Sequence, residues 1–255
     1  MGFVRVGERL LRGRSLLARV SARAQLYLLG FVTLAFAACS HDGGGDPSGH
    51  ALEDVNHDGR VVVLAFGDSI TRGVGDGTRP GDTPPGTGGY PSRLENLLGV
   101  TVVNDGSSGE RTTDGLPRLQ RDVKDTHPDY AILLEGTNDL LGGDDPHRAI
   151  GNMHSMIDAV RAAGAIPLLG TIPPLCCNVE SSHPPSATLA YDRDLRALAA
   201  SSGVGLIDFY STFAGGPEAA YDPGRGLLHS PEGVHPTAAG YDSMAEAARQ
   251  KLLQH

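Results

Sequence analysis

The segment Val61–Gly73, with the sequence VVVLAFGDSITRG, decides the fold. Its first six residues are apolar and begin with three valines, a pattern typical of a strand buried on both faces of a sheet. The run ends at Gly67, where glycine permits a sharp turn, and Ser69 follows where a helix could start. A hydroxyl at the carboxyl end of a central strand lies where open α/β sheets bind their ligands. Ser69 is therefore either a reactive group or only the cap of a helix.

Apolar runs and helical patterns alternate through the rest of the chain. The apolar runs predict four further strands, at Val100–Asn104, Tyr130–Leu134, Ala165–Gly170 and Val204–Phe209. The segments around them predict helices, at Tyr90–Leu98, Asp114–Lys124, Pro146–Ala163, Ala187–Ser201 and Pro236–Leu253. Pro236 suits a helix start because the first helical turn does not need its missing N–H. Strands that alternate with helices predict a doubly wound, parallel sheet of five strands in a single domain.

Polar segments follow two of the predicted strands and precede the last helix. Asn104–Thr112 is rich in glycine, which leaves backbone N–H groups open to approach, and Gly136–Asp139 carries an amide side chain. Glu232 and His235 are three residues apart, so an acid and an imidazole can lie on one side of a turn. With the Ser69 hydroxyl, these groups supply the nucleophile, base, orienting acid and oxyanion donors that acyl transfer requires.

The four segments resemble the sequence blocks of the SGNH (GDSL) hydrolase family, in the family's order, and the resemblance spans about residues 61–252. It implies a flavodoxin-like, three-layer α/β/α sandwich that hydrolyses esters or thioesters without a metal or a cofactor. It also implies that Ser69 is the nucleophile and His235 the base. The implied oxyanion donors are the N–H groups of Ser69 and Gly109 and the side-chain amide of Asn138.

Glu232 is the point at which this chain departs from the family pattern. The family's last block reads Asp-x-x-His, whereas this chain has a glutamate three residues before His235. Glutamate has the same chemistry and is one methylene longer, and Ser-His-Glu triads function in other hydrolases. Two arrangements remain open: Glu232 completes a triad, or it faces solvent while a backbone carbonyl orients His235 in a dyad.

The N-terminal segment has the features of an export signal. Met1–Gln25 contains six arginines and one glutamate, and Leu26–Ala38 contains no charge and ends in small residues. The apolar part is too short to span a bilayer comfortably, so the pattern predicts a signal peptide over residues 1–38 rather than an uncleaved anchor. Cys39 follows two alanines and resembles the cysteine of a bacterial lipobox, with Phe36 where leucine is usual. This resemblance implies that Cys39 is lipidated.

Residues 39–59 are predicted to be a flexible tether before a hydrolase domain over residues 60–255, because they are polar and contain three consecutive glycines. Within the tether, Asp54–Gly59 imitates the first half of a calcium-binding loop. The twelfth position of such a loop would be Ala65, which cannot supply the carboxylate that binds calcium. The segment is therefore interpreted as a turn into the first strand.

The charge of the chain limits its partners. Residues 1–38 carry +5 and the whole chain carries −9, so residues 39–255 carry −14. A protein this acidic is not expected to bind nucleic acid or an anionic lipid surface through its charge. Membrane attachment would depend on a lipid at Cys39. The expected location is outside the cytoplasm, as a periplasmic or cell-surface lipoprotein or as a secreted protein.

Cys176 and Cys177 are adjacent in a long loop after the fourth predicted strand. Neighbouring cysteines rarely share one metal ion, and the sequence has no second cysteine pair, which disfavours a zinc site. The two residues are expected to be thiols or, in an oxidising compartment, a vicinal disulfide. His229 is close enough in sequence to the last block to touch the cleft.

Two classes of function fit the sequence: an exported hydrolase of carboxylic esters, and a binding lipoprotein that keeps the fold without activity. The intact motif residues favour the enzyme. Among small-molecule or lipid-like substrates, acyl esters and thioesters compete with O-acetylated carbohydrates. The chain has no tryptophan and only 5% aromatic residues, so rings on which sugars could stack are scarce. Acyl esters are therefore the preferred substrate class.

Overall fold

The computed structural model describes residues 51–77, 88–177 and 185–254, so the predicted signal peptide and Cys39 lie outside the described residues. The centre of the fold is a sheet of five strands in the order β2-β1-β3-β4-β5, and every pairing is parallel. The strands are β1 Val62–Gly67, β2 Thr101–Gly106, β3 Tyr130–Leu134, β4 Ile166–Gly170 and β5 Gly205–Ile207. This order confirms the flavodoxin-like sheet, whose strand order reverses between β1 and β3.

Helices flank the sheet on both faces. They are α1 Ser69–Arg72, α2 Gly89–Leu98, α3 Thr112–Thr126, α4 Thr137–Leu141, α5 Pro146–Ala162, α6 Pro185–Ser202, α7 Phe209–Ala214 and α8 Ala238–Leu252, with a 3-10 turn at Pro223–Arg225. In one layer α2 packs against α8, and in the other α3 and α6 pack against α5. These layers confirm the predicted three-layer sandwich. Within the described ranges, no helix combines the length and the apolar character that crossing a membrane requires.

The two central strands lie in the middle of the hydrophobic core. Val63, Phe66 and the residues between them have no exposed surface, and the same is true of Ala131 to Leu134. Full burial of one such side chain contributes about 1.5–3 kcal/mol, so strands covered on both faces are fixed firmly. The sheet edge at which Ser69 follows β1 is therefore a rigid support for a site.

The last helix begins two residues later than predicted. Helix α8 starts at Ala238, and the Thr237 hydroxyl caps it by accepting the Gly240 N–H at 3.3 Å. Pro236 instead pairs with Leu228 in an isolated antiparallel bridge. The threonine cap, rather than the proline, therefore sets the start of the helix.

The fifth strand is shorter than predicted. Strand β5 ends at Ile207, because Asp208 Oδ1 accepts the Ser211 N–H at 3.0 Å and caps α7, whose first residue is Phe209. The apolar pattern did not reveal the short helices α4 and α7, because one or two helical turns leave no clear period in a sequence. For α1, the sequence indicated only that a helix could start at Ser69.

Residues 51–59 are not a tether, in contrast to the sequence prediction. The Val55 N–H donates to Asp129 Oδ1 at 2.7 Å, and Leu52 and Val55 pack against the core. The segment belongs to the same compact unit as the sheet. The prediction was wrong here because Asp129, which supplies the acceptor, is far away in the sequence. The rest of the predicted tether lies outside the described residues.

The acidic segment at the start of the domain is a turn, as predicted. Asp54 Oδ2 accepts the Gly59 N–H at 2.8 Å, and Asn56 Oδ1 accepts the Asp58 N–H at 3.0 Å. Oxygens that resemble calcium ligands in the sequence are therefore used by the backbone of the turn itself.

Candidate active site

Ser69 directly follows the turn after β1 and is the first residue of α1. Asp68 caps this helix, because its Oδ1 accepts the Ile70 N–H at 2.8 Å. Gly67 has to be glycine, since a Cβ at this position would collide with the carbonyl oxygen of Leu134 on β3. The turn therefore holds the serine at the carboxyl edge of the sheet, beside the reversal of strand order where such folds bind ligands.

A chain of contacts joins Ser69, His235 and Glu232. His235 Nε2 lies 2.9 Å from Ser69 Oγ, and His235 Nδ1 contacts Glu232 Oε1. Glu232 Oε2 also accepts the His235 main-chain N–H at 3.2 Å. A carboxylate at Nδ1 favours the tautomer in which Nδ1 carries the proton, which leaves Nε2 to accept a proton from the serine. The Glu232 carboxylate thus meets the imidazole, as a triad requires.

Two effects act in opposite directions on the Glu232 carboxylate. Its partial burial raises the pKa, but the hydrogen bond and the positive charge of His235 outweigh the burial and hold the pKa below its usual value. Glu232 is therefore ionised at neutral pH, which is the state that can stabilise an imidazolium.

Residues 229–235 form the acid–base loop, which is closed by hydrogen bonds within its own backbone. The His229 N–H donates to the His235 carbonyl at 3.0 Å, and the Gly233 N–H donates to the His229 carbonyl at 2.7 Å. His229 Nε2 lies 2.6 Å from the carbonyl oxygen of Gly75, so this nitrogen carries a proton and donates it. His229 therefore lies beside the site and anchors the acid–base loop to the segment after α1.

Cys176 holds the acid–base loop from another side. The Cys176 N–H donates to the Gly233 carbonyl at 3.0 Å. Gly233 has a φ of +72°, and a Cβ at this position would collide with the Cys176 carbonyl oxygen. Cys176 and Cys177 form a disulfide, which is one of the two states that the sequence left open.

Gly109 and Asn138 follow the carboxyl ends of β2 and β3. Gly109 lies on an exposed loop with a φ of +80°, and within the described part of the chain no acceptor meets its N–H. Asn138 Nδ2 donates to the Glu110 carbonyl at 2.8 Å and lies 3.3 Å from Asp68 Oδ2. Asn138 is therefore held between the loop that carries Gly109 and the turn that carries Ser69.

Asp68 connects the nucleophile turn to the asparagine. It is completely buried, and burial raises its pKa to about 6 although the hydrogen bond from the Ile70 N–H opposes this shift. Above that pH the carboxylate is ionised and accepts hydrogen bonds from both Ile70 and Asn138. The residue before the serine is therefore part of the site's framework.

Three ionisable residues of the site were not found by reasoning from the sequence: Arg118, Glu135 and Asp139. Asp139 accepts the Thr112 N–H at 2.9 Å and the Thr112 hydroxyl at 2.6 Å, which ties α4 to the start of α3. Glu135 is completely buried, and burial together with the charge of Asp68 raises its pKa well above the usual value. Glu135 and Asp139 could have been found in the sequence, because Glu135 precedes the segment that carries Asn138 and Asp139 ends it. For Arg118 the only signal was its position next to the buried residue Leu119 on a predicted helix.

The fold and these contacts define a serine hydrolase site on a flavodoxin-like sheet. Residues 65–242 match the family described as GDSL-like Lipase/Acylhydrolase. The chain belongs to this family, and the protein is a serine hydrolase that acts on ester bonds.

The chain is also similar to individual proteins, which include an esterase and a solved structure of the same fold. The chain is 29% identical to the esterase TesA of Pseudomonas aeruginosa over 190 residues, which cover 72% of this chain and 84% of that protein. It is 32% identical to the uncharacterized lipoprotein YqeF of Bacillus subtilis over 164 residues, which cover 59% of this chain and 56% of that protein. The structure of a lipase/acylhydrolase from Enterococcus faecalis superposes with a TM-score of 0.64 at 21% identity, covering 76% of this chain and 96% of that one.

Proposed function

We propose that the protein is an exported serine esterase that hydrolyses acyl esters or thioesters through a triad of Ser69, His235 and Glu232. One observation carries the proposal: His235 Nε2 lies 2.9 Å from Ser69 Oγ while its Nδ1 contacts the Glu232 carboxylate. A nucleophile, a base and an orienting acid in this sequence are what acyl transfer requires. A protein that only binds its ligand has no use for this arrangement.

The reaction has two steps. His235 takes the hydroxyl proton as Ser69 attacks the acyl carbonyl, and the oxyanion accepts hydrogen bonds from the N–H groups of Ser69 and Gly109. The Asn138 amide supplies a third: it keeps one N–H on the Glu110 carbonyl and turns the other, whose nitrogen lies 3.3 Å from Asp68 Oδ2, to the oxyanion. Glu232 stabilises the imidazolium, which then protonates the leaving alcohol or thiol. Water repeats the sequence on the acyl-enzyme and releases the acid. Each oxyanion donor contributes on the order of 3 kcal/mol to transition-state stabilisation.

The burial of the aromatic residues supports acyl esters over acetylated carbohydrates. From residue 51 onward, eight of the nine tyrosine and phenylalanine side chains are buried: Phe66, Tyr90, Tyr130, Tyr191, Phe209, Tyr210, Phe213 and Tyr241. The ninth, Tyr221, is half-buried, and its hydroxyl accepts the N–H groups of Leu227 and Leu228 at 3.1 and 3.0 Å. The domain therefore offers few rings on which a sugar could stack.

The test of this function compares the wild type with Ser69→Ala on a panel of substrates. The panel contains aryl esters of increasing acyl length, an acyl thioester and an acetylated xylo-oligosaccharide. The wild type should hydrolyse the acyl esters, and Ser69→Ala should fold normally yet lose activity by a factor of about 10⁵–10⁶. An organophosphonate should label the wild type once, at Ser69, and should leave the variant unlabelled.

The other outcomes identify the alternatives. Hydrolysis of the acetylated sugar alone would indicate a carbohydrate O-acetylesterase. A wild type that hydrolyses nothing and resists the phosphonate would indicate a binding lipoprotein. Label on Ser107 or Ser108 would contradict the assignment of the nucleophile.

We also propose that the mature protein is exported and anchored by a lipid on Cys39. The basic segment, the short apolar run and the cysteine that follows support this proposal, as does the likeness to a protein named a lipoprotein. After expression of the full chain in bacteria, mass spectrometry should find a diacylglyceryl group on an N-terminal Cys39. Cys39→Ser should remove the protein from the membrane fraction. A soluble wild-type product that begins at another residue would indicate ordinary secretion.

A further inference from the structure

Arg118, on α3, joins the ends of two strands to the loop that carries Gly109. Its Nε donates to Glu110 Oε1 at 2.8 Å, and its Nη1 donates to Asp105 Oδ1 at 2.5 Å. Its Nη2 donates to the Gly67 carbonyl at 3.3 Å. One guanidinium therefore contacts the last residue of β1, the end of β2 and the loop after β2.

The surroundings of Arg118 hold its guanidinium in one place. Only 17% of its side chain and 7% of the Glu110 side chain are exposed. The guanidinium lies 4.0 Å from the centre of the Phe66 ring and stacks over it. An ion pair between a planar guanidinium and a shielded carboxylate has a more defined geometry than an ion pair on the surface, where solvent and salt screen the charges and the side chains move. Arg118 thus forms a brace, that is, a fixed connection between the ends of β1 and β2 and the loop after β2.

Glu110 connects Arg118 to the proposed oxyanion donors, Gly109 and Asn138. Its carbonyl accepts the Asn138 Nδ2 hydrogen bond at 2.8 Å, and it directly follows Gly109 in the chain. We propose that Arg118, paired with Glu110, is a positioning residue of the oxyanion hole, which fixes the Gly109 N–H and the Asn138 amide relative to Ser69. This inference rests on the proposed esterase function.

We expect the loss of Arg118 to destabilise the transition state more than the bound substrate. Oxyanion donors work because they already point at the place where negative charge develops, and a small displacement weakens them there. The substrate carbonyl carries much less charge, so its binding depends less on the same geometry. Loss of the brace should therefore lower kcat and leave KM nearly unchanged.

The experiment measures kcat, KM and the affinity for a boronic acid in Arg118→Met, Arg118→Lys and Glu110→Gln. The boronic acid forms a tetrahedral adduct on the serine and so mimics the transition state. Arg118→Met should lower kcat by about 10–100-fold, with KM within about twofold of the wild type. Boronate affinity should fall in parallel with kcat. Arg118→Lys keeps the charge without the fork and should lose less.

Arg196, on α6, provides a matched control. It forms a similar pair with Asp208, at 3.0 Å from Nε and 2.9 Å from Nη2, and 19% of its side chain is exposed. It also lies near an aromatic ring, that of Tyr210, at 5.9 Å. Arg196→Met and Arg196→Lys should match the loss of stability caused by the Arg118 variants and leave kcat and boronate affinity unchanged.

The outcomes separate this inference from the function on which it rests. The inference is overturned if folded Arg118 variants keep the wild-type kcat, or if Arg196 variants lose kcat to the same degree. It is also overturned if KM rises as much as kcat falls, or if boronate affinity stays constant. If Arg118→Met does not fold, the same measurements on Arg118→Lys and Glu110→Gln test the inference. A wild type without esterase activity refutes both proposals, whereas an active wild type with Ser69→Ala inactive and Arg118 variants unimpaired refutes only this one.

Discussion

The oxyanion side and the acid–base side of the site are held in different ways. On the oxyanion side, charged side chains span the elements: Arg118 contacts Glu110, and Asp139 accepts two hydrogen bonds from Thr112. On the acid–base side, main-chain hydrogen bonds close the acid–base loop, Cys176 joins it through another, and the His229 side chain anchors it to the Gly75 carbonyl. The carboxylates on the two sides also differ in their exposure to solvent: 7% of the Glu110 side chain is exposed, compared with 34% of the Glu232 side chain.

The difference follows from what each side has to do. Oxyanion donors stabilise a charge that exists only briefly, so they must be in place beforehand. A buried side-chain network provides that order. The imidazole has to lie within hydrogen-bond reach of Ser69 and move a proton, and a closed loop suffices for that. Apart from the reacting groups themselves, we therefore expect changes in supporting side chains to damage the oxyanion side and changes in the backbone to damage the acid–base loop.

The largest effect on the acid–base side is expected from its two side chains. His235→Ala should lower kcat by a factor of about 10⁴–10⁶, because no other base contacts Ser69 among the described residues. Glu232→Gln should lower kcat by about 10²–10⁴ and change KM much less, because the charge matters most when the imidazolium forms. Glu232→Asp should retain part of the activity. The measurement is kcat and KM on one aryl ester from pH 5 to 9.

These variants also decide between triad and dyad. If Glu232→Gln keeps nearly the wild-type kcat while His235→Ala is inactive, His235 functions in a dyad, and the carboxylate contact has no catalytic consequence. Circular dichroism of each variant controls for loss of fold.

A smaller effect is expected from the backbone of the acid–base loop. Gly233→Ala combines a φ of +72° with a collision against the Cys176 carbonyl oxygen, so the loop has to shift. We expect a loss of about 2–3 kcal/mol in the free energy of unfolding and a fall of about tenfold in kcat. Urea unfolding and steady-state kinetics measure the two quantities.

Gly99→Ala is the matched control for this prediction. Gly99 has a φ of +68° with open space around its Cβ position, so it isolates the cost of the backbone angle, about 1 kcal/mol. Equal losses of stability in the two variants would show that the contact with Cys176 does not hold the acid–base loop. That result would also remove the proposed contrast between the two sides.

Local patterns were enough to predict the sheet and the segments that surround the site. The continuous apolar run before Gly67 identified β1, and the position of Tyr130–Leu134 was predicted without error. Predictions failed where a distant or capping side chain decides the outcome. Asp129 holds residues 51–59 against the domain, and Thr237 moves the start of the last helix.

The sequence by itself determined the fold, the family and the segments that meet at the carboxyl edge, because apolar periodicity and short motifs are local properties. Only the tertiary structure decided which groups touch. The contact between Glu232 and His235, the brace formed by Arg118, and the anchor from His229 to Gly75 depend on angles and distances that no local pattern specifies. The last of these joins residues 154 positions apart, so packing of the whole domain was needed to create it.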